Sequence, residues 1–242
     1  RHTRRCPTQK MATFPDRLVT FGKQTGGCDK LIKFFASFTK FVAFELQARG
    51  NKELGGDFGR MASMASNSRK TFRCFKDVEN YVALKQLFVS SKLPLLERLV
   101  AVAARSAYEI FIFFDHFLLA AKTKFLARDV ERWEFISCWG WFWSCVGNAI
   151  TALNELQKTN STLQKQMQSE QSEHDAQAMA KLRKQQFHHT LSVVSNISDA
   201  VCAGIIIKYD KLLLRRKLSS WHYGLFGMIS SACAVKQIWD KC

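Results

Sequence analysis

Asp115 and His116 stand side by side in a mostly apolar stretch, and a carboxylate next to an imidazole can work as an acid–base pair. No nucleophile is placed beside them, so they read as a satisfied polar pair within a helix bundle. His188 and His189 are also adjacent. On a helix that sets them about 100° apart, poor geometry for one metal ion. Gly55-Gly56-Asp57-Phe58-Gly59 is glycine-rich but lacks the lysine of a phosphate cradle, and reads as a loop. No P-loop, GxSxG, HExxH or dinucleotide fingerprint occurs. The 8 cysteines are scattered without zinc spacing and read as reduced, partly buried thiols. The expectation is a protein that is not an enzyme and has no cofactor or metal.

The residues whose spacing does suit a chemistry lie between Gly59 and Val89, and that chemistry is lipid binding. At about 100° per residue, Met61, Met64, Phe72, Phe75, Val78 and Val82 fall on one side of a helix. Arg69, Lys70, Arg73 and Lys76 gather on a flank of the opposite side. An apolar stripe with a basic flank suits the boundary between acyl tails and anionic headgroups. These ten residues are the expected lipid-binding site.

Composition agrees with a membrane partner. The 242 residues carry 36 Lys+Arg against 20 Asp+Glu, net +16. Residues 1–98 hold 19 of the basic and 8 of the acidic side chains, so the excess is concentrated at the amino-terminal end. That excess suits nucleic acid or an anionic membrane. No zinc finger or aromatic RNA platform is visible, and the 20 phenylalanines sit within apolar stripes, so nucleic acid is not the expected partner. Three prolines favour long helices over a turn-rich β fold.

The elements that must position these residues follow from periodicity. Residues 1–13 read as disordered or as an upstream extension, with Met11 a plausible start. Residues 14–92 form a cytosolic amphipathic-helix region. In it Gly26-Gly27 breaks the chain, Asp29 caps a helix over 30–48 with Leu31, Phe34, Phe35, Phe38, Phe41 and Val42 as its stripe, and the basic helix spans 59–89. Residues 93–153 hold central helices. Arg105, Glu109, Asp115 and His116 make 95–126 costly as a lipid-facing span, so it reads as packed or half-inserted. Phe135 to Leu153 carries no charge and can cross a core of about 30 Å, with Gly140, Gly147 and Ala149 permitting close helix contact. Residues 154–187 read as a polar loop and 188–242 as a membrane region. There Trp221 to Trp239 is a second span with a small-residue face at Gly224, Gly227, Ser230, Ser231 and Ala234. The expected fold class is thus all-α: a membrane-associated helical protein with amphipathic N-terminal helices and about two transmembrane helices.

Several motifs in order resemble one family. Asp16-Arg17-Leu18-Val19 followed by Gly27-Cys28-Asp29-Lys30-Leu31 resembles the opening of the peroxisomal biogenesis factor eleven (peroxin-eleven) family, with Cys28 where an arginine is common. Ser68 to Arg73 resembles its membrane-remodelling amphipathic helix, and Tyr108 to Lys122 its central helix. Asn196 to Ala200 and Gly224-Leu225-Phe226-Gly227-Met228-Ile229-Ser230-Ser231 resemble its carboxyl-terminal signature. The resemblance covers about 14–239. It implies a multi-pass protein of the peroxisomal membrane, or of the glycosomal membrane in kinetoplastid-like organisms, that promotes elongation, proliferation and fission of the organelle. It further implies a homo-oligomer on anionic phospholipid that cooperates with a fission adaptor and a dynamin-like GTPase.

From the residues, the expected mechanism is a wedge: the apolar side of 61–82 enters the cytosolic leaflet while its basic flank holds headgroups. The N-terminus is expected on the cytosolic side. The alternative is a pore or channel for small metabolites, with Arg105, Glu109, Asp115, Lys208 and Asp210 lining a polar path.

Overall fold

The computed structural model describes residues 13–73, 76–89, 93–126, 129–168, 173–209, 211, 215 and 217–242. All regular structure among them is helical: α1 Phe14–Lys23, α2 Thr25–Ala48, α3 Lys52–Thr71, α4 Lys76–Val89, α5 Leu95–Lys122, α6 Val130–Gln168, α7 Glu173–Ile206 and α8 Ser220–Trp239. The all-α expectation therefore holds.

Several boundaries differ from the expected ones. The helix around Asp29 begins at Thr25, with Gln24 as its N-cap, and runs through Gly26-Gly27. Gly27 is small because α1 folds back on it: a Cβ there would lie 2.8 Å from the Phe21 carbonyl oxygen. Asp29 is thus inside the helix, not its cap. Gly50, with φ +87°, does end α2, as only glycine adopts that backbone cheaply. The Gly55–Gly59 run is helical, not a loop, because Asn51 caps α3 by accepting from the Leu54 N–H. The 59–89 helix is two helices: α3 ends at Thr71 and α4 starts at Lys76, with residues 72 and 73 in a turn. Residues 154–168 and 173–187, expected as a polar loop, continue α6 and begin α7. Gln, Lys, Leu and Ala are good helix formers, and Leu163 is buried even though apolar spacing there is thin.

The helices pack as successive antiparallel pairs. Phe111 stacks on Trp141 and Phe114 on Trp133, which sets α5 against α6. Gln186 donates to the Asn160 side chain (3.0 Å) and Gly204 faces the ring of Phe142, which sets α7 against α6. Ser195 donates to the Ser230 carbonyl (3.1 Å) and Gln237 to Ser192 (2.7 Å), joining α7 to α8. Phe41 meets Trp221, joining α8 to α2. α3 returns along α2, and α4 lies on α5, where Asn80 donates to Glu109 (2.7 Å). Followed around, α2, α8, α7, α6, α5 and α3 form a ring, closed where α5 touches α3.

The small residues of two expected spans make this ring tight. A Cβ on Gly140 would lie 2.7 Å from the Ala107 carbonyl oxygen of α5, and one on Gly224 2.8 Å from the Phe41 Cβ of α2. These faces are occupied within one chain. By length and composition, the described helical stretch able to cross a membrane is Ala176–Ile206 (31 residues). Neither 135–153 nor 221–239 meets that test. Tryptophan, serine and glycine keep 135–153 only weakly hydrophobic despite its lack of charge.

Candidate functional site

The bundle carries its charges inside. Asp29, Lys33, Lys70, Arg73, Asp115 and Asp199 are all buried. Lys33 of α2 donates to Asp199 of α7 and to the Ser230 hydroxyl of α8 (2.8 Å). Lys70 and Arg73 both bond Asp115 of α5, Arg73 at 2.8 Å. Arg69 donates to Asp29 at 3.1 Å, and Arg73 reaches the same carboxylate at 3.9 Å. Each pair joins two helices that are far apart in sequence. The α3–α5 seam is the clearest case, since this side of the ring is held by ion pairs more than by side-chain packing.

The outside is correspondingly apolar. Leu31, Phe34, Phe35 and Phe38 of α2, the expected apolar stripe, are exposed, and α2 buries Lys33, Ala36, Ser37, Thr39 and Ala43. Ile110 and Phe113 of α5 and Phe135, Trp139 and Trp143 of α6 are exposed as well. Large apolar patches of this kind mark a surface that meets something other than water.

The expected lipid-binding residues divide between these two environments. Met61, Met64, Phe72, Val78 and Val82 are exposed, Met64 at 72% and Val78 at 62%. They lie on α3, on α4 and in the turn between the two. Phe75 lies outside the described residues. Arg69, Lys70 and Arg73 point inward and are bonded to carboxylates, and half-buried Lys76 faces the interior. Asp115 and His116 do not pair with each other: His116 lies 3.5 Å from Asp77.

The inward charges line a cleft of about 550 Å³ to which every helix except α1 contributes. The charges tune one another. Burial pushes the Asp29 carboxyl up, but Arg69, Arg73, Lys30 and Lys76 outweigh it and hold the group well below the usual carboxylate range. Lys30 is pushed down to about 8, first by burial and then by neighbouring Lys33. Burial also lowers Lys70, against the pull of Asp115.

Sequence reasoning missed Asp29, Lys33 and Asp199 as partners. The available signal was a lone charge in an apolar stretch, which demands a partner without naming it. Of the expected polar path, Asp115 lines the cleft. Arg105 and Glu109 lie beside it around Asn80, Lys208 is exposed, and Asp210 falls outside the described residues.

Fold and interior together define an all-helical bundle with buried ion pairs between its helices and many exposed aromatic side chains. The family model for Peroxisomal biogenesis factor 11 (PEX11) matches residues 16–239, and the chain belongs to that family. The family is one of peroxisome biogenesis factors. The chain is 30% identical over 126 residues to a protein of Arabidopsis thaliana called Peroxisomal membrane protein 11B. That match covers 52% of this chain and 54% of the relative, so the chain spans about half the length of the curated relative it matches. No solved structure matches the chain.

Proposed function

We propose that this chain is a protein of the peroxisomal membrane that elongates that membrane during proliferation and fission of the organelle. The observation that carries the reading is the unpartnered apolar face of α3 and α4, formed by Met61, Met64, Phe72, Val78 and Val82. Laid into one leaflet, five such side chains gain roughly 1 kcal/mol each for the area still exposed, or about 5 kcal/mol per copy. Insertion on one side only expands that leaflet and bends the sheet. Arg69, Lys70 and Arg73 serve first to fasten α3 to the bundle, and they reach headgroups only when their pairs with Asp29 and Asp115 open. Self-association, with the N-terminus on the cytosolic side, concentrates the copies for a fission adaptor and a dynamin-like GTPase, and Ala176–Ile206 is the described helical stretch long and apolar enough to anchor them.

The test is full-length protein reconstituted with anionic liposomes and viewed by electron microscopy. The wild type should draw tubules, and Met64→Glu with Val78→Glu should abolish them while leaving the helical circular dichroism intact. Undiminished tubulation by that variant defeats the wedge. The second reading, conduction of small metabolites, is favoured by the charged cleft. Single-channel currents lost on neutralising Asp115 would establish it.

A further inference from the structure

The cleft holds more positive charge than its ion pairs consume. Eight lysine and arginine side chains line it against four carboxylates. Asp29, Asp115 and Asp199 are taken up by Arg69, Arg73, Lys70 and Lys33, and Glu134 by Lys122 at 3.1 Å. Among the described residues Lys30 and Lys76 have no ion pair although both are half-buried, and the contact given for Lys40 is the ring of Tyr223, its centroid 3.7 Å from the ammonium nitrogen. Gathering unpaired ammonium groups within a protein costs free energy unless an anion joins them. Ser63, Ser66 and Asn67 of α3 line the same space and add hydrogen-bond donors. A volume of about 550 Å³ suits a small molecule.

We propose that this cleft is a binding site for a phosphate-bearing anion, held by Lys30, Lys40 and Lys76 with the α3 hydroxyl and amide groups. Three cations without a direct ion pair match a group carrying two or more negative charges better than a single carboxylate. The depressed proton affinity of Lys30 is what an unfilled cationic site produces, since burial and Lys33 both act against its charge. Such an anion comes either as a soluble phosphorylated compound or as the head of an anionic phospholipid reaching in from the bilayer, and the chemistry is shared. The site is separate from the wedge, whose residues face outward.

Full-length protein in phosphatidylcholine nanodiscs would be titrated with pyrophosphate, and parallel nanodiscs would contain phosphatidic acid. Thermal melting and calorimetry read binding. The variants are Lys30→Gln with Lys76→Gln, and Lys85→Gln, an exposed lysine of α4, as control. Pyrophosphate should raise the melting temperature of the wild type and of the Lys85 variant, and affinity should fall about tenfold or more in the double variant. Stabilisation by phosphatidic acid alone, lost in the double variant, assigns the site to a headgroup. Without ligand the double variant should keep the helical circular dichroism of the wild type, so that a loss of affinity is read on a folded protein. No stabilisation in either arm, or equal stabilisation of the double variant, overturns the proposal.

Discussion

Neutralising Asp115 tests the ionic interior most directly. Its carboxylate is 2% exposed and takes both Lys70 and Arg73, which are themselves buried. Asp115→Asn keeps the shape but leaves two largely buried cations without their carboxylate. Removing one partner of a buried pair costs about 3–5 kcal/mol. Arg73 still has Asp29 at 3.9 Å, which places this case near 3 kcal/mol, by the same scale. For a chain of this size each kcal/mol is worth about 2–4 °C, so melting should fall by about 6–12 °C. Adding Lys70→Met and Arg73→Met to an Asp115→Leu background removes all three charges and should restore most of the loss. The assay is thermal circular dichroism of the purified protein in one detergent. A drop below about 2 °C for Asp115→Asn, against the expected size, would mean that the seam is solvated and the pairs carry little.

Glycine positions separate close contact from free space. Gly140→Val should destabilise by about 2 kcal/mol because the new side chain meets the α5 backbone, whereas Gly59→Ala, with nothing within 4 Å of an added Cβ, should stabilise α3 by roughly 0.5–1 kcal/mol. Chemical unfolding of both variants checks the pair, and equal effects would contradict the α5–α6 contact. Stability should also depend on pH at both ends. Asp29 has a lowered pKa when folded, so as acid is added the unfolded chain takes its proton first. Its contribution is full above about pH 5 and drains as pH falls, so the gap between wild type and Asp29→Asn should shrink toward about pH 3. Lys30 acts in the opposite sense: from about 8 up to 10.5 the unfolded chain keeps the proton that the folded chain has released, so this group makes stability rise with pH in that window. A Lys30→Gln variant that keeps the same alkaline slope as the wild type would refute that assignment.

Periodicity in the sequence reveals which residues share a helix face but not which way the face points. Leu31, Phe34, Phe35 and Phe38 do share one, and α2 ends at Gly50 as read. Their exposure was not legible, because an apolar stripe buries equally well in a core or in lipid. The orientation was decided by Lys33, whose partner Asp199 lies 166 residues away. No local signal connects such residues. The same holds for Arg69, Lys70 and Arg73: local spacing makes them a basic flank, and only Asp29 and Asp115 turn them inward. The family motifs were readable because they are short and ordered along the chain, and the match over 16–239 bears them out.

Ring closure also sets a schedule. α1 and α2 are synthesised early, yet their neighbour is α8, the last described helix. Arg17 donates to the Trp239 carbonyl at 2.8 Å, 222 residues away, and the rings of Phe14 and Phe21 rest on Trp239. While the chain is growing, Lys33 therefore waits for Asp199 and Phe41 for Trp221. Contacts this distant form slowly, and exposed apolar helices invite capture by other chains. A truncation before Ser220 should therefore aggregate even though every earlier described helix is present.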